Sequence, residues 1–394
     1  MKLKRKYKLL KFLFNIMKEN TNNKEKLFEI LASMKGIPQK YGQFLYLKDQ
    51  RKYKAFEKLL DEGTPHISSR LYEKALKLTN HEINLYKNPI ASASIGQVYA
   101  GTLKDTEVIV KIQYPKVKEE LEHDWKFLKR MINLLFGFFR FPEESKHFLV
   151  DYLNEFEKTV EKETNYSTEM DNALTFQNIF KAYPFIKIPK VYDKYTKENL
   201  LVEEKCLGIP LNEFLKNASE EDKRVVLEHI LFFYFHSFFN HQVLHGDPHS
   251  GNFFVKKENQ NIILEVIDYG CVKYFEKSFV DNFKTLIFRL RNEDYKELYA
   301  NLIQLGFKKD DIAAYGNAFI PILNILFEPF LVDEAFDFKY WKLTYKLNTL
   351  MGSKVFEKTI SLPKDLLLVF RVFHGFISHV YTLNDPSFNV YKFV

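Results

Sequence analysis

Cysteine is almost missing from this chain: Cys206 and Cys271 are the only two in 394 residues. Two thiols build neither a disulfide framework nor a zinc site, and such scarcity is expected of a reducing compartment. Also missing is any run of roughly eighteen uncharged apolar residues, the length a membrane-spanning helix requires. The nearest approaches, 131–141, 230–239 and 319–332, read as core helices. The stretch 366–383 is apolar, but Arg371, His374 and His379 interrupt it, which favours packing over spanning. The basic start of the chain is no signal peptide, because Lys11 breaks its apolar core and no small-residue cleavage site follows. There is no internal repeat and no low-complexity linker. Nor is there a strong charge excess: a net charge of +7 is mild for this length. It suits phosphate ligands or an anionic membrane surface, and it does not call for nucleic acid.

What is present belongs to a globular protein. Hydrophobic residues make up 46% and charged residues 28%, enough to bury a large core in one two-lobed unit or two closely packed domains. The abundance of Lys, Asn and Phe reads as compositional drift. In residues 1–18, Leu3, Tyr7, Leu10, Phe14 and Met17 share one helical face with basic residues around them. An interfacial membrane helix and a helix docked on the protein body both fit that pattern.

The stretch 243–271 organises the chain. An apolar run arrives, a polar cluster His-Gly-Asp-Pro-His-Ser-Gly-Asn interrupts it, and a second apolar run ends in Asp-Tyr-Gly. His245, Asp247 and Asn252 keep the H-x-D-x-x-x-x-N order of a kinase catalytic loop, and Asp268 stands where the metal-binding Asp of D-F-G belongs. Hard Mg²⁺ takes oxygen ligands, here the Asn252 amide and the Asp268 carboxylate. Asp247 would accept or orient the proton of an attacking hydroxyl or water.

Upstream, residues from 1 to about 86 read helical and contain the tetrad Lys40-Tyr-Gly42-Gln43, by itself a weak signal. Two β-rich segments, 95–100 and 108–112, flank a turn at Lys104-Asp105 and follow the small-residue loop Ala91-Ser92-Ala93-Ser94. Small residues let main-chain N–H groups approach phosphates closely. Val110-Lys111 matches the end of a V-A-I-K strand, whose Lys contacts the α- and β-phosphates. Residues from 116 to about 183 read helical. A buried, phosphate-facing Lys111 needs an anionic partner from the acidic helix 155–172, and spacing alone does not choose between Glu163 and Glu169. Strands are expected at 186–192 and 199–204, then a Gly-containing turn, where main-chain groups from Glu204 to Cys206 would bond adenine. From 219 to about 240 an aromatic core helix is expected, with His236 as a core histidine. Beyond 271 the chain reads helical, with breaks near Gly306, Gly316, Gly352 and Pro363.

Taken in order, these residues resemble the UbiB/AarF-type atypical kinases. The resemblance rests on Lys40-x-Gly42-Gln43, the Ala-rich loop 91–98, Val110-Lys111-Ile-Gln113-x-Pro115, the helix carrying Glu163, Glu169 and Asn172, the string His245-Gly-Asp-Pro-His-x-Gly-Asn252, and Asp268-x-Gly270. It implies an α+β, protein-kinase-like bilobal fold: an N-terminal helical extension over 1–85, a small antiparallel β-sheet N-lobe over 86–205, and a mainly helical C-lobe over 206–394. It implies that Lys40, counted with Asp247 and Lys111 as catalytic, lies over the nucleotide site, held by an E-x-D motif that maps to Glu163-x-Asn165, with Gln43 and Glu163 among the cofactor-binding residues. It also implies Glu169 as the partner of Lys111, and Lys111, Glu169, Asp247, Asn252 and Asp268 as the nucleotide and metal set. Asn165 replaces the Asp of that motif, Ser92 interrupts the alanines, and Ser250 replaces a Pro.

The resulting expectation is an atypical kinase or ATPase that binds ATP or ADP with Mg²⁺ between two lobes. No A-P-E segment follows Asp268, so a small molecule, lipid or water is the expected acceptor. A role in isoprenoid quinone biosynthesis or lipid homeostasis follows from the resemblance, with a lipid or quinone precursor as partner. The expected location is cytoplasmic and peripheral on the inner face of a membrane, through 1–18. Two alternatives stand beside this reading: a nucleotide-gated binding module with little catalysis, and a small-molecule kinase of the aminoglycoside or choline type, which the Lys40 tetrad disfavours.

Overall fold

The computed structural model describes residues 69–92, 95–119, 164–351 and 363–394, with isolated positions between 122 and 130. These form two compact units. The first holds the described residues up to Asp171 together with Lys190–Lys205; the second is Asn172–Pro189 with Cys206–Val394.

Unit one is built on a four-stranded antiparallel sheet. The strands are β1 (Asn84–Ser92), β2 (Gly96–Leu103), β3 (Thr106–Gln113) and β5 (Leu200–Glu204), in the order β1-β2-β3-β5. Strand alternation explains why β3 holds. Val108, Val110 and Ile112 face a core with Tyr99, Leu103, Leu200 and Val202, while Lys111 takes the opposite face. Helix α1 (Ser69–Leu78) closes that core through Leu71 and Ala75. The expected helix up to about residue 86 therefore ends early. Asn80 and His81 take left-handed φ values of 52° and 56°, and the chain turns into β1. Pro89 weakened the strand signal there; it is tolerated because β1 is an edge strand with register shifts on either side of it.

Unit two is arranged around α4 (Glu220–His241). Ser219 caps it by accepting the Asp222 N–H at 3.1 Å, three acids sit in its first turn, and Gln242 ends it at φ 55°. Helices α5 (Lys277–Arg291), α8 (Phe319–Leu331) and α10 (Lys364–Val380) bury their apolar faces in the same core. The many phenylalanines build that core. Phe235 meets Phe330 and Phe373, Phe330 meets Phe373, and Phe283 meets Phe238, Phe239 and Phe327, with ring centroids 5.0–6.0 Å apart. Each buried ring is worth about 1.5–3 kcal/mol against exposure, so the Phe content is structural and more than drift.

Two small sheets complete unit two. One has the order β4-β9-β8-β6, from β4 (Ile186–Lys187), β6 (Ile209–Pro210), β8 (Phe253–Glu258) and β9 (Asn261–Val266). The other pairs β7 (Val243–His245) with β10 (Val272–Tyr274). The strand expected at 186–192 is only two residues long because Pro189 cuts it. The strand β10, and the two-residue pair β11 (Phe336–Asp337) and β12 (Ser387–Phe388), interrupt a region expected to be all helix. Pieces this short carry no readable period. Gly306 (φ 95°) and Gly316 (φ 49°) sit at breaks between helices, Pro363 precedes α10, and Gly352 lies outside the described residues. Among the described residues no helix is long and apolar enough to cross a membrane.

Candidate functional site

In unit one the candidate residues gather around Lys111. Its Nζ lies 2.8 Å from Glu169 Oε1, and a second carboxylate, Glu203 Oε1, lies 3.1 Å away. All three side chains are nearly buried. The position of Glu169 can be traced residue by residue. Gln113, two residues beyond Lys111 on the same strand face, donates through Nε2 to the Thr164 carbonyl at 2.9 Å. Asn165 then starts α2 (Tyr166–Phe180), its Oδ1 accepting the Ser167 N–H at 3.0 Å. One turn into the helix, Glu169 meets Lys111. Asn165 thus has a capping role that either Asn or Asp can fill.

Glu203 is placed by register. Lys111 pairs with Leu201 across β3 and β5, so Glu203 is a diagonal neighbour on the same face, within reach of a long side chain. The adjacent Glu204 points differently: its Oε2 accepts the Lys190 N–H at 3.4 Å. The main-chain N–H of Glu204 bonds the Lys190 carbonyl, and that of Lys205 bonds Glu107. Of the main-chain groups from Glu204 to Cys206, these two N–H groups are hydrogen-bonded inside unit one. In the small-residue loop, Ala91 pairs with Val98 and Ser92 with Gln97, while Ala93 and Ser94 lie outside the described residues. Gly96 ends the loop where a Cβ would come within 2.3 Å of the Ile112 carbonyl oxygen, too close for any side chain. Lys40, Gln43 and Glu163 also lie outside the described residues.

In unit two the β7–β10 pair holds the candidate residues. His245 lies opposite Val272, and the Gly246 N–H donates to the Cys271 carbonyl at 2.6 Å. This brings the two motifs together. Buried His245 donates from Nε2 to the Asp268 carbonyl at 2.7 Å. Asp268 adopts φ 63°, sparsely populated for a residue with a side chain. Its Oδ1 accepts the Gly270 N–H at 3.2 Å, and Asn172 Nδ2 holds the Tyr269 carbonyl at 2.9 Å. Asn252 Nδ2 donates to Asp247, 2.9 Å from its Oδ2 and 3.3 Å from its carbonyl, which leaves the Asn252 carbonyl oxygen as an acceptor. Beneath the loop, burial and then the Asp247 charge push the Tyr234 hydroxyl well above the usual tyrosine range, so it stays neutral.

Two further residues were not foreseen. Glu265, fully buried on β9, accepts the Leu207 and Gly208 N–H groups at 3.0 and 2.7 Å and lies 3.6 Å from Lys187 Nζ. The signal that could have found it is a lone acid inside an apolar strand. Glu203 carried no such signal.

The donor chemistry fits a Mg-nucleotide. Asn252, Asp268 and Asp247 offer oxygen atoms suited to a hard divalent ion. Among the described residues no group of three His, Cys, Asp or Glu side chains forms a metal cage of its own.

The profile of the ABC1 atypical kinase-like domain matches residues 70–302, more than half of the chain. The chain belongs to the ABC1 atypical kinase-like family. This is the UbiB/COQ8/AarF group that the motifs resemble. Among ABC1 relatives, the chain is 26% identical over 375 residues to the mitochondrial atypical kinase COQ8 of Saccharomyces cerevisiae, covering 90% of this chain and 72% of that protein. It is 28% identical over 291 residues to the probable protein kinase UbiB of Histophilus somni, covering 68% and 51%. It is 27% identical over 298 residues to AarF domain-containing kinase 1 of Drosophila melanogaster, covering 73% and 57%. The chain thus spans between about half and three quarters of these ABC1 proteins. The Rv3197–erythromycin complex of Mycobacterium tuberculosis superposes with a TM-score of 0.65 at 22% identity, covering 92% of this chain and 90% of that one. The fold is kinase-like and α+β.

Proposed function

We propose that this ABC1 chain binds ATP or ADP with Mg²⁺ and works as an atypical kinase or ATPase. One observation carries the reading: Lys111 and Glu169, 58 residues apart, meet at 2.8 Å in a nearly buried pair. A buried ammonium facing a phosphate site needs such a partner to hold its direction. Lys111 would contact the α- and β-phosphates, with the small-residue loop beside them. Asn252 and Asp268 would hold the metal, which neutralises phosphate charge when bound. Asp247, oriented by Asn252, would accept the proton of the attacking hydroxyl or water.

The acceptor in this reading is a lipid, a small molecule or water, and the setting is isoprenoid quinone biosynthesis or lipid homeostasis. The relatives named for COQ8 and UbiB support that setting. The same reading keeps the division into an extension over 1–85, an N-lobe over 86–205 and a C-lobe over 206–394. It places the protein peripherally on a membrane through 1–18.

The test compares wild type with Asp268→Asn in nucleotide-dependent thermal shift and phosphate release. Wild type should be stabilised by Mg-ATP and release phosphate, and the variant should lose both. Equal behaviour would remove the assignment.

A further inference from the structure

One ammonium faces two carboxylates in unit one, and the two differ in origin. Glu169 reaches Lys111 from helix α2. Glu203 reaches it from β5, which is hydrogen-bonded to Lys111's own strand. Both carboxylates are nearly buried, with side-chain exposures of 9% and 6%. Nζ donates to Glu169 and pairs ionically with Glu203, so among the described residues two negative charges face this ammonium.

We infer that Glu203 is a competing counter-charge on Lys111 that makes nucleotide binding at this site depend strongly on divalent metal. The inference rests on the nucleotide reading above and adds to it a residue that sets the site's affinity. A polyphosphate arriving at Lys111 meets an ammonium already shared with Glu203, and it meets the Glu203 charge within a few ångströms. In a poorly solvated site that repulsion is little screened. A phosphate chain carrying its own metal ion arrives with much of its charge offset. A bare one does not. Glu203 therefore penalises metal-free nucleotide more than Mg-nucleotide. Because Glu203 is fixed by strand register, it stays beside Lys111 whatever α2 does.

The experiment measures the Kd of ADP by calorimetry on the full chain, once with Mg²⁺ and once with EDTA. The proteins are wild type, Glu203→Gln and Glu203→Met, each checked for a near-native melting temperature. Gln keeps an oxygen for Lys111 without the charge; Met keeps the volume without either. In wild type, metal-free ADP should bind at least about a hundredfold more weakly than Mg-ADP. In both variants metal-free ADP should bind about tenfold more tightly than in wild type, with a smaller gain for Mg-ADP, so the ratio shrinks. An unchanged ratio, or weaker binding in the folded variants, makes Glu203 a prop for Lys111 and overturns the inference alone. A wild-type ratio below about ten overturns it even if neither variant folds. If wild type binds ADP in neither condition, the nucleotide reading falls and this inference with it.

Discussion

His245 donates a hydrogen bond from Nε2 to the main-chain carbonyl of Asp268, 23 residues later, at 2.7 Å. The ring is completely buried and packs edge-on against Phe176 and Tyr269. Together with the β7–β10 pairing and the Gly246–Cys271 bond, this bond joins the H-G-D strand to the D-Y-G turn, where Asp268 is left-handed. His245→Phe would keep the volume but remove the donor of this part-buried bond. We expect a loss of about 1 kcal/mol in urea unfolding. We also expect the Mg²⁺ enhancement of ATP binding to fall about tenfold, measured by titration at fixed nucleotide. A variant with native metal dependence would show that the bond is structural only.

Acid should weaken unit two. Burial lowers the imidazole pKa of His229 to about 4, and lowers those of His236, His374 and His379 too. For His236 the charge of His241 adds to the effect. For His379 the charge of His249 adds while the Pro248 carbonyl opposes. Between the ordinary value near 6.5 and the folded value, the unfolded chain takes up protons that the folded chain refuses. Stability is therefore complete above about pH 6.5 and falls as the pH drops towards 4. His229, which stacks near Phe185 at 4.6 Å, should account for about 1–2 kcal/mol of that loss after allowance for partial solvent access. His229→Phe, compared with wild type in urea at pH 7 and pH 5, should show the shallower decline. Equal slopes would assign the acid sensitivity elsewhere.

Much of the candidate site was legible because its parts are local. Asp247 and Asn252 lie within one loop, and Asp268 within one turn, so their spacing survives in the sequence. Glu169 was harder. Spacing left it level with Glu163, and only the family resemblance favoured it before the Gln113–Thr164 and Asn165 bonds gave a physical reason. Glu203 and Glu204 are adjacent acids at a strand end. Which one faces Lys111 depends on the pairing of β5 with β3, across a sequence gap of about ninety residues. No local pattern encodes that register. The same limit hid β10, β11 and β12, whose two or three residues exist as strands only through their partners.

Glu265 offers a direct measure of such a hidden contact. It accepts two N–H groups from the Cys206–Gly208 segment, and a Cβ on Gly208 would approach Val255 main-chain atoms to 2.6 Å. Glu265→Ala would remove the acceptor of the part-buried Leu207 and Gly208 N–H groups and the carboxylate beside Lys187. We expect about 2–4 kcal/mol of destabilisation in urea. Glu265→Gln, which keeps an oxygen acceptor, should lose about half as much. Equal losses would mean that charge, and not hydrogen bonding, is what the site requires.

Gly375 tests whether α10 supports the loop that carries Asp247. It sits in α10 where an added Cβ would lie 2.4 Å from Pro248 Cβ and Cγ, beside Asp247. Nearby, Leu368 lies close to Gly246, and Lys273 bonds Asp365 at 3.1 Å. In an exposed helix, Gly→Ala stabilises by up to about 1 kcal/mol through propensity. Here the proline ring must move, and overpacking costs about 1–3 kcal/mol. Gly375→Ala should therefore lower the melting temperature while leaving far-ultraviolet circular dichroism unchanged. Phosphate release should fall in kcat more than in KM, because the displaced group is the loop that carries Asp247. Gly375→Ala with a raised melting temperature and native kcat would show that α10 and the loop move independently.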